Sequence, residues 1–287
     1  MLRRWSTLLR GSPALPWRQF SSTSDGHVDY IEGVKLLQLQ DVDSAISRWT
    51  SAADAGHAKA SSALGHLYLL GKGGVVEQNL PRAAQYLKQA ADQGHANACH
   101  QLGRMHLLGL HFAVDGAAAL QWWERAAEQG HTAAQYDLGY MYDKGVHVPA
   151  DKSKAFKLFS HAAKKGMPEA IRAVGNAYLV GDGVEANPAK AFKTFLKAAD
   201  TGNVQARFDV GACYALGRGT DVDLAKAAAS FFLAAEGGVP EAQLCLAQQY
   251  EFGRGVEADL AKAKEYYTMA AAKNVPEAIA RLKDWPN

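Results

Sequence analysis

The chain has 287 residues, 48% of them apolar, and 31 basic against 29 acidic side chains, for a net charge of +2. A near-neutral balance excludes broad phosphate binding, which needs a basic face. No stretch approaches the ~18 consecutive apolar residues of a membrane span. Three cysteines suit a reducing compartment, where buried thiols behave as small apolar groups.

The first 24 residues, MLRRWSTLLRGSPALPWRQFSSTS, differ from everything after them. They carry Arg3, Arg4, Arg10 and Arg18, and no acidic residue precedes Asp25. Arginine, serine, leucine and tryptophan mixed along a short amphipathic stretch predict a disordered mitochondrial transit peptide over 1–24. A secretory signal would need an unbroken apolar run, and the bland alternative is a basic disordered tail. Arg18-Gln19-Phe20-Ser21 resembles a presequence cleavage context. Without the four arginines of residues 1–20, 27 basic residues face 29 acidic ones, a net charge of −2. The expected location is the mitochondrial matrix. Residues 25–51 are expected to form a linker and an N-terminal capping half-repeat, with a flexible lead-in from Gly26 to Tyr30 and a capping helix from Ile31 to Leu39.

A repeat occupies the rest. Ala-Ala recurs at Ala52, Ala90, Ala126, Ala162, Ala198, Ala234 and Ala270, with a first gap of 38 residues and five of 36. Three residues before each stands Trp49, Leu87, Trp123, Phe159, Phe195, Phe231 or Tyr267, and seven before each another alanine. Four residues after come Gly56, Gly94, Gly130, Gly166, Gly202 and Gly238, with Asn274 at the last position. Ala155, Phe159 and Ala162–Ala163 make one helical stripe. Gly166 then sits where a helix end needs a left-handed residue, and asparagine is the usual substitute. Pro168, Pro240 and Pro276 fit the first position of the next helix, whose N–H has no partner anyway. That helix carries Ala170, Val174, Gly175 and Tyr178, where small residues admit close helix approach beside an aromatic. A turn such as Gly181-Asp182-Gly183-Val184 ends it, and Asn187-Pro188 opens the following helix. The expectation is an all-α, right-handed α-solenoid of tandem antiparallel helix pairs: six repeats over 52–269 and a C-terminal capping half-repeat over 270–287.

The pattern Ala134…Leu138-Gly139…Tyr142…Gly145, continued by Lys154-Ala155…Phe159…Ala162-Ala163…Gly166, resembles the Sel-1-like repeat, as do Gly253-Arg254-Gly255-Val256 and Lys262-Ala263. The resemblance covers about Ala45 to Leu282. It implies a relative of the tetratricopeptide repeat that makes protein–protein contacts, commonly as an adaptor or assembly factor. Some members carry a disulfide in each repeat; Cys99, Cys213 and Cys245 do not recur at equivalent positions, so that feature does not transfer. The second repeat departs most, with His106 for the tyrosine and Leu110-His111-Phe112 for the glycine-rich turn.

Positions nine, five and two residues before the tyrosine share a face away from the packing stripe. In related solenoids that face lines the concave groove. Here it holds Asn97, Gln101 and Arg104; Asp137 and Tyr140; Glu169 and Asn176; Gln205 and Asp209; Glu241 and Gln248. These vary while the packing positions do not, which suits a partner peptide, although solvated helix faces would read the same. Trp122, beside the packing Trp123, is a candidate anchor.

His95, Cys99, His100, His106 and His111 are dense enough to weigh as a metal site, but His100 points away from the others. His57, His95 and His131 share one position after the turn glycine, where capping is role enough. No metal or cofactor is expected. No nucleophile elbow, phosphate loop or separate acidic pair suggests catalysis. The expected function is a non-catalytic scaffold, adaptor or assembly factor for a mitochondrial multiprotein complex. It would hold protein partners in the groove as a monomeric subunit of a hetero-complex, without direct nucleic-acid contact. The alternatives are an organellar RNA- or ribonucleoprotein-associated repeat protein, and a metal- or haem-handling assembly factor.

Overall fold

A computed structural model describes residues 23–285. Residues 1–22, most of the expected transit peptide, and 286–287 lie outside the described residues. The chain divides into two compact units between His95 and Ala96. The first holds α1 (Thr23–Gln38), α2 (Val42–Asp54), α3 (Ala58–Leu70) and α4 (Leu80–Asp92). The second holds α5 (Ala96–Leu108), α6 (Gly116–Glu128), α7 (Thr132–Lys144), α8 (Lys152–Lys164), α9 (Pro168–Val180) and α10 (Pro188–Asp200). It continues with α11 (Val204–Leu216), α12 (Leu224–Glu236), α13 (Pro240–Phe252), α14 (Leu260–Ala272) and α15 (Pro276–Lys283). Among the described residues there is no strand, only an isolated bridge between Lys72 and Val76. The fold is the expected α-solenoid of helix pairs.

Every pair but the last closes on a glycine. A Cβ on Gly103 would stand 2.3 Å from the Trp123 ring, on Gly139 2.8 Å from Phe159, on Gly175 2.6 Å from Phe195 and on Gly211 2.7 Å from Phe231. No methyl fits there, so the backbone of one helix lies directly on the aromatic of the next. The last pair manages with Ala247, fully buried like its neighbour Tyr267.

Between pairs the chain turns where the repeat predicts. Gly56, Gly94, Gly130, Gly166, Gly202 and Gly238 have φ between 78° and 90°, and Asn274 takes the same turn at 62°. Pro168, Pro240 and Pro276 open α9, α13 and α15, whose N-caps lack a side-chain hydrogen bond. His57 and His131 instead cap through Nδ1, accepting from the Ala60 and Ala134 N–H at 3.2 Å.

Within pairs the second helix is capped by an Asx residue that also bonds the first. The Asp151 N–H donates to the Tyr142 carbonyl at 2.9 Å, and its carboxylate accepts from the Lys154 N–H at 2.9 Å. Asn187, Asp223 and Asp259 do the same for Tyr178, Tyr214 and Tyr250. The long first gap is a nine-residue loop, 71–79, in place of the seven-residue 145–151.

The N-terminal expectation needs correction. Gly26 to Tyr30 are not a flexible lead-in: they are part of α1, which begins at Thr23. Helices α1 and α2 form a full pair, built as the others are. A Cβ on Gly33 would stand 2.5 Å from Trp49, whose indole N–H donates to the Tyr30 carbonyl at 3.1 Å. The Trp123 indole does the same to the His100 carbonyl at 3.0 Å.

Candidate partner-binding surface

The helices at the register of the Leu-Gly…Tyr signature in the second unit are α5, α7, α9, α11 and α13. Of the groove residues read from them, Arg104, Tyr140, Glu169, Glu241 and Gln248 are exposed, and Asn97, Asn176 and Gln205 are partly so. Gln101 is not accessible. It is 8% exposed, and its Oε1 is buried without a hydrogen-bond partner.

The two aspartates bridge neighbouring repeats. His100 Nε2 lies 2.8 Å from Asp137 Oδ2, and the Arg172 guanidinium binds both oxygens of Asp209. Burial raises the Asp209 carboxyl above its usual value even though Arg172 pulls it down. These pairs were missed because they join residues 37 apart, one more than the period. That His-to-Asp and Arg-to-Asp spacing, occurring twice, was the signal available in the sequence.

Tyr140, Glu169 and Asn176 come together. They line a depression of about 250 Å³ between α7, α8 and α9. Its walls also carry Asp143, Lys144, Lys152 and Asp182, none of them singled out by the groove register. Lys152 ties Asp143 at 2.8 Å to Asp182 at 3.1 Å. Desolvation opposes ionisation of Asp143, but the hydrogen bonds from Lys152 and Lys144 outweigh it and hold the carboxyl below its usual value. Glu169 has no ion pair among the described residues. The site can therefore accept hydrogen bonds and stack an aromatic edge, while most of its charge is internally neutralised.

Trp122 lies elsewhere, half-buried on α6 beside Glu124 and Glu128, with the Arg125 guanidinium 5.1 Å over its ring. Of the clustered histidines, His100 is held by Asp137, and His106 stacks on Phe112 at 4.2 Å. Among the described residues no three His, Cys, Asp or Glu side chains converge on a point that could hold a metal ion. Burial pushes the thiols of Cys213 and Cys245 up to about 11, so both are protonated and inert at neutral pH. No described helix is long and apolar enough to cross a membrane.

Six consecutive matches to the Sel1 repeat run over residues 58–95, 96–131, 132–167, 168–203, 204–239 and 240–275. Each begins at a signature helix and ends after its partner, so α1 and α2 stand outside the matched repeats. No curated protein matches the chain. The chain is similar to a protective antigen present in uropathogenic Escherichia coli strains that displays an SLR fold. Identity is 32% and the TM-score 0.77, over 83% of this chain and 50% of that one, so this chain spans half of that antigen. It is similar also to a Sel1 repeat protein from Oxalobacter formigenes, with 27% identity and a TM-score of 0.76, covering 84% of this chain and 96% of that one. Sel1 repeat proteins generally act as protein-interaction scaffolds and are typically non-catalytic. The chain belongs to the Sel1 repeat family.

Proposed function

We propose that the protein is a non-catalytic adaptor or assembly factor for a mitochondrial multiprotein complex, holding partner subunits on the exposed face of α5, α7, α9, α11 and α13. The observation that carries this reading is the gathering of Tyr140, Glu169 and Asn176 around one depression. The packing positions beneath keep their residue types from repeat to repeat, whereas the exposed positions do not. Such a surface is free to be specific without disturbing the fold. The compartment rests on the arginine-rich, acid-free residues 1–24. Trp122 is a second anchor on α6.

The test is affinity purification of the tagged full chain from isolated mitochondria, with mass spectrometry before and after RNase. The expected result is a defined set of protein partners that survives RNase. Loss of all partners on RNase treatment points instead to RNA association, and absence of the protein from mitochondria overturns the compartment. Trp122→Ala is expected to lower partner recovery several-fold while leaving Tm within a few degrees; a large fall in Tm assigns Trp122 to the core instead.

A further inference from the structure

The last residue of each signature helix occupies one register. In the second unit these are Leu108, Lys144, Val180, Leu216 and Phe252. The four apolar ones are 56%, 65%, 59% and 58% exposed in chain order. Single exposed apolar residues are ordinary. An apolar residue at the same position in four repeats of five is a ladder, and pair packing does not require it. The Gly–aromatic contact lies further back along the helix, and the left-handed cap is served by the glycine that follows. Lys144 and Val180 both line the depression between α7, α8 and α9, which puts this register on the groove side.

Cations also line the ladder edge, while the carboxylate two residues beyond Val180, Asp182, is already tied to Lys152 at 3.1 Å. Arg104 stands one turn before Leu108, and Arg218 and Arg254 two residues beyond Leu216 and Phe252; all three are exposed and have no ion pair among the described residues. The Arg254 guanidinium lies 5.1 Å over the Phe252 ring. The nearby loop carboxylate Glu257 lines a depression with Tyr250 and Lys262.

The rung spacing selects the occupant. The His100–Asp137 contact joins α5 to α7, the Arg172–Asp209 contact joins α9 to α11, and α7 and α9 share a depression; packed helices lie ~8–10 Å apart. An extended polyproline-type segment returns to the same face every third residue, after ~9 Å. We infer that this edge takes an extended acidic segment of a partner protein, with an apolar residue at every third position for the ladder and carboxylates between for the arginines. The inference rests on the adaptor reading and names the partner's chemistry.

The probe is a fluorescein-labelled Leu-Pro-Asp repeat peptide of five units, one for each register from Leu108 to Phe252. Proline keeps each leucine extended, and fluorescence anisotropy with the full chain reads binding. The expected result is saturable binding that weakens with salt. Affinity should fall at least about tenfold in Val180→Ser/Leu216→Ser/Phe252→Ser and in Arg218→Glu/Arg254→Glu, with Tm nearly unchanged because these side chains are exposed. A peptide of the same composition with its leucines out of period, and a Leu-Pro-Lys peptide, should bind at least about tenfold more weakly. Absence of binding, equal binding of the out-of-period peptide, or full binding by the ladder variant overturns the inference. If the ladder variant still recovers every mitochondrial partner, the inference falls and the adaptor reading stands. If the unaltered protein recovers no defined partner, the adaptor reading itself falls.

Discussion

The loop around His147 and the loops around Gly183, Gly219 and Gly255 make the same contact in opposite ways. In the later repeats a loop glycine lies on the start of the preceding repeat's second helix. A Cβ on Gly183 would stand 2.1 Å from the Lys152 carbonyl, on Gly219 2.0 Å from that of Pro188, and on Gly255 2.1 Å from that of Leu224. One repeat earlier the roles are exchanged. The loop residue is His147, the helix residue beneath it is Gly116, and a Cβ there would stand 2.1 Å from the imidazole. All four loop residues have positive φ, 61° for His147 and 70–77° for the glycines. The contact requires one partner without a side chain, and either side can supply it. Histidine tolerates the left-handed region better than most residues, which makes the exchange possible.

The largest expected effect comes from filling one of these backbone contacts. Gly183→Val places a β-branched residue at positive φ against a backbone carbonyl that cannot retreat. It should cost on the order of 3 kcal/mol in urea denaturation of the full chain. A loss below about 1 kcal/mol would mean that the loop lifts away and the contact is dispensable. The exchange has a sharper test. Gly116→Lys alone, copying Lys152 of the next repeat, should cost about 2 kcal/mol by overpacking against His147. Adding His147→Gly should restore at least about 1 kcal/mol of that, a coupling readable in a double-mutant cycle. Strict additivity of the two changes would show that they do not share a contact.

A smaller effect distinguishes the second repeat from its successors. Lys154, Lys190, Lys226 and Lys262 each lie 4.3–5.5 Å over the tyrosine of their own pair. In the second repeat Ala118 holds that helix position, and Phe112 covers the His106 ring from the loop side. Lys226→Ala should therefore cost about 0.5 kcal/mol, an exposed cation–π contact. Ala118→Lys should gain nothing, since no tyrosine waits beneath it. A gain equal to the Lys226 loss would show that helix charge, not the ring, sets the value.

The fold was legible because one contact recurs at a fixed distance in sequence. The turn glycines, Asn274 and the helix-opening prolines fall at the positions the period dictates. The α1–α2 pair was less legible, although Gly33 and Trp49 make the same contact. Its connecting loop, 39–41, is four residues shorter than 145–151, which breaks the spacing while preserving the chemistry. Gly116 carried no signal of its own, because its meaning depends on His147 in the next repeat. The groove register placed Arg104, Tyr140 and Glu169 correctly at the surface. It could not distinguish Gln101, buried at the same position where Asp137 and Asp209 reach a neighbouring repeat. Periodicity fixes the direction of a Cβ, whereas burial depends on which side chain the adjacent helix sends toward it.

Two arginine–carboxylate pairs should respond to acid with opposite sign. Near the C-terminus the Arg281 guanidinium bonds Glu251, and the Tyr267 hydroxyl donates to its Oε2 at 2.6 Å. The arginine outweighs desolvation there and holds the Glu251 carboxyl below its ordinary 4.5. Its stabilisation is complete above the unfolded value and disappears as pH falls through the lower folded value. In the groove, burial outweighs Arg172 and raises the Asp209 carboxyl above its ordinary 3.8. The ionised form is then disfavoured in the fold, and this cost fades as pH falls through the raised folded value. Glu251→Gln should thus destabilise at neutral pH, by about 1 kcal/mol given the part-exposed Arg281, and its deficit should shrink below pH 4.5. Asp209→Asn removes a carboxylate that the fold disfavours ionised. As pH is lowered from neutral, its deficit relative to the unaltered chain should grow. Urea midpoints of the three proteins measured across that range decide it, and a shared sign would show that burial of Asp209 does not outweigh its arginine.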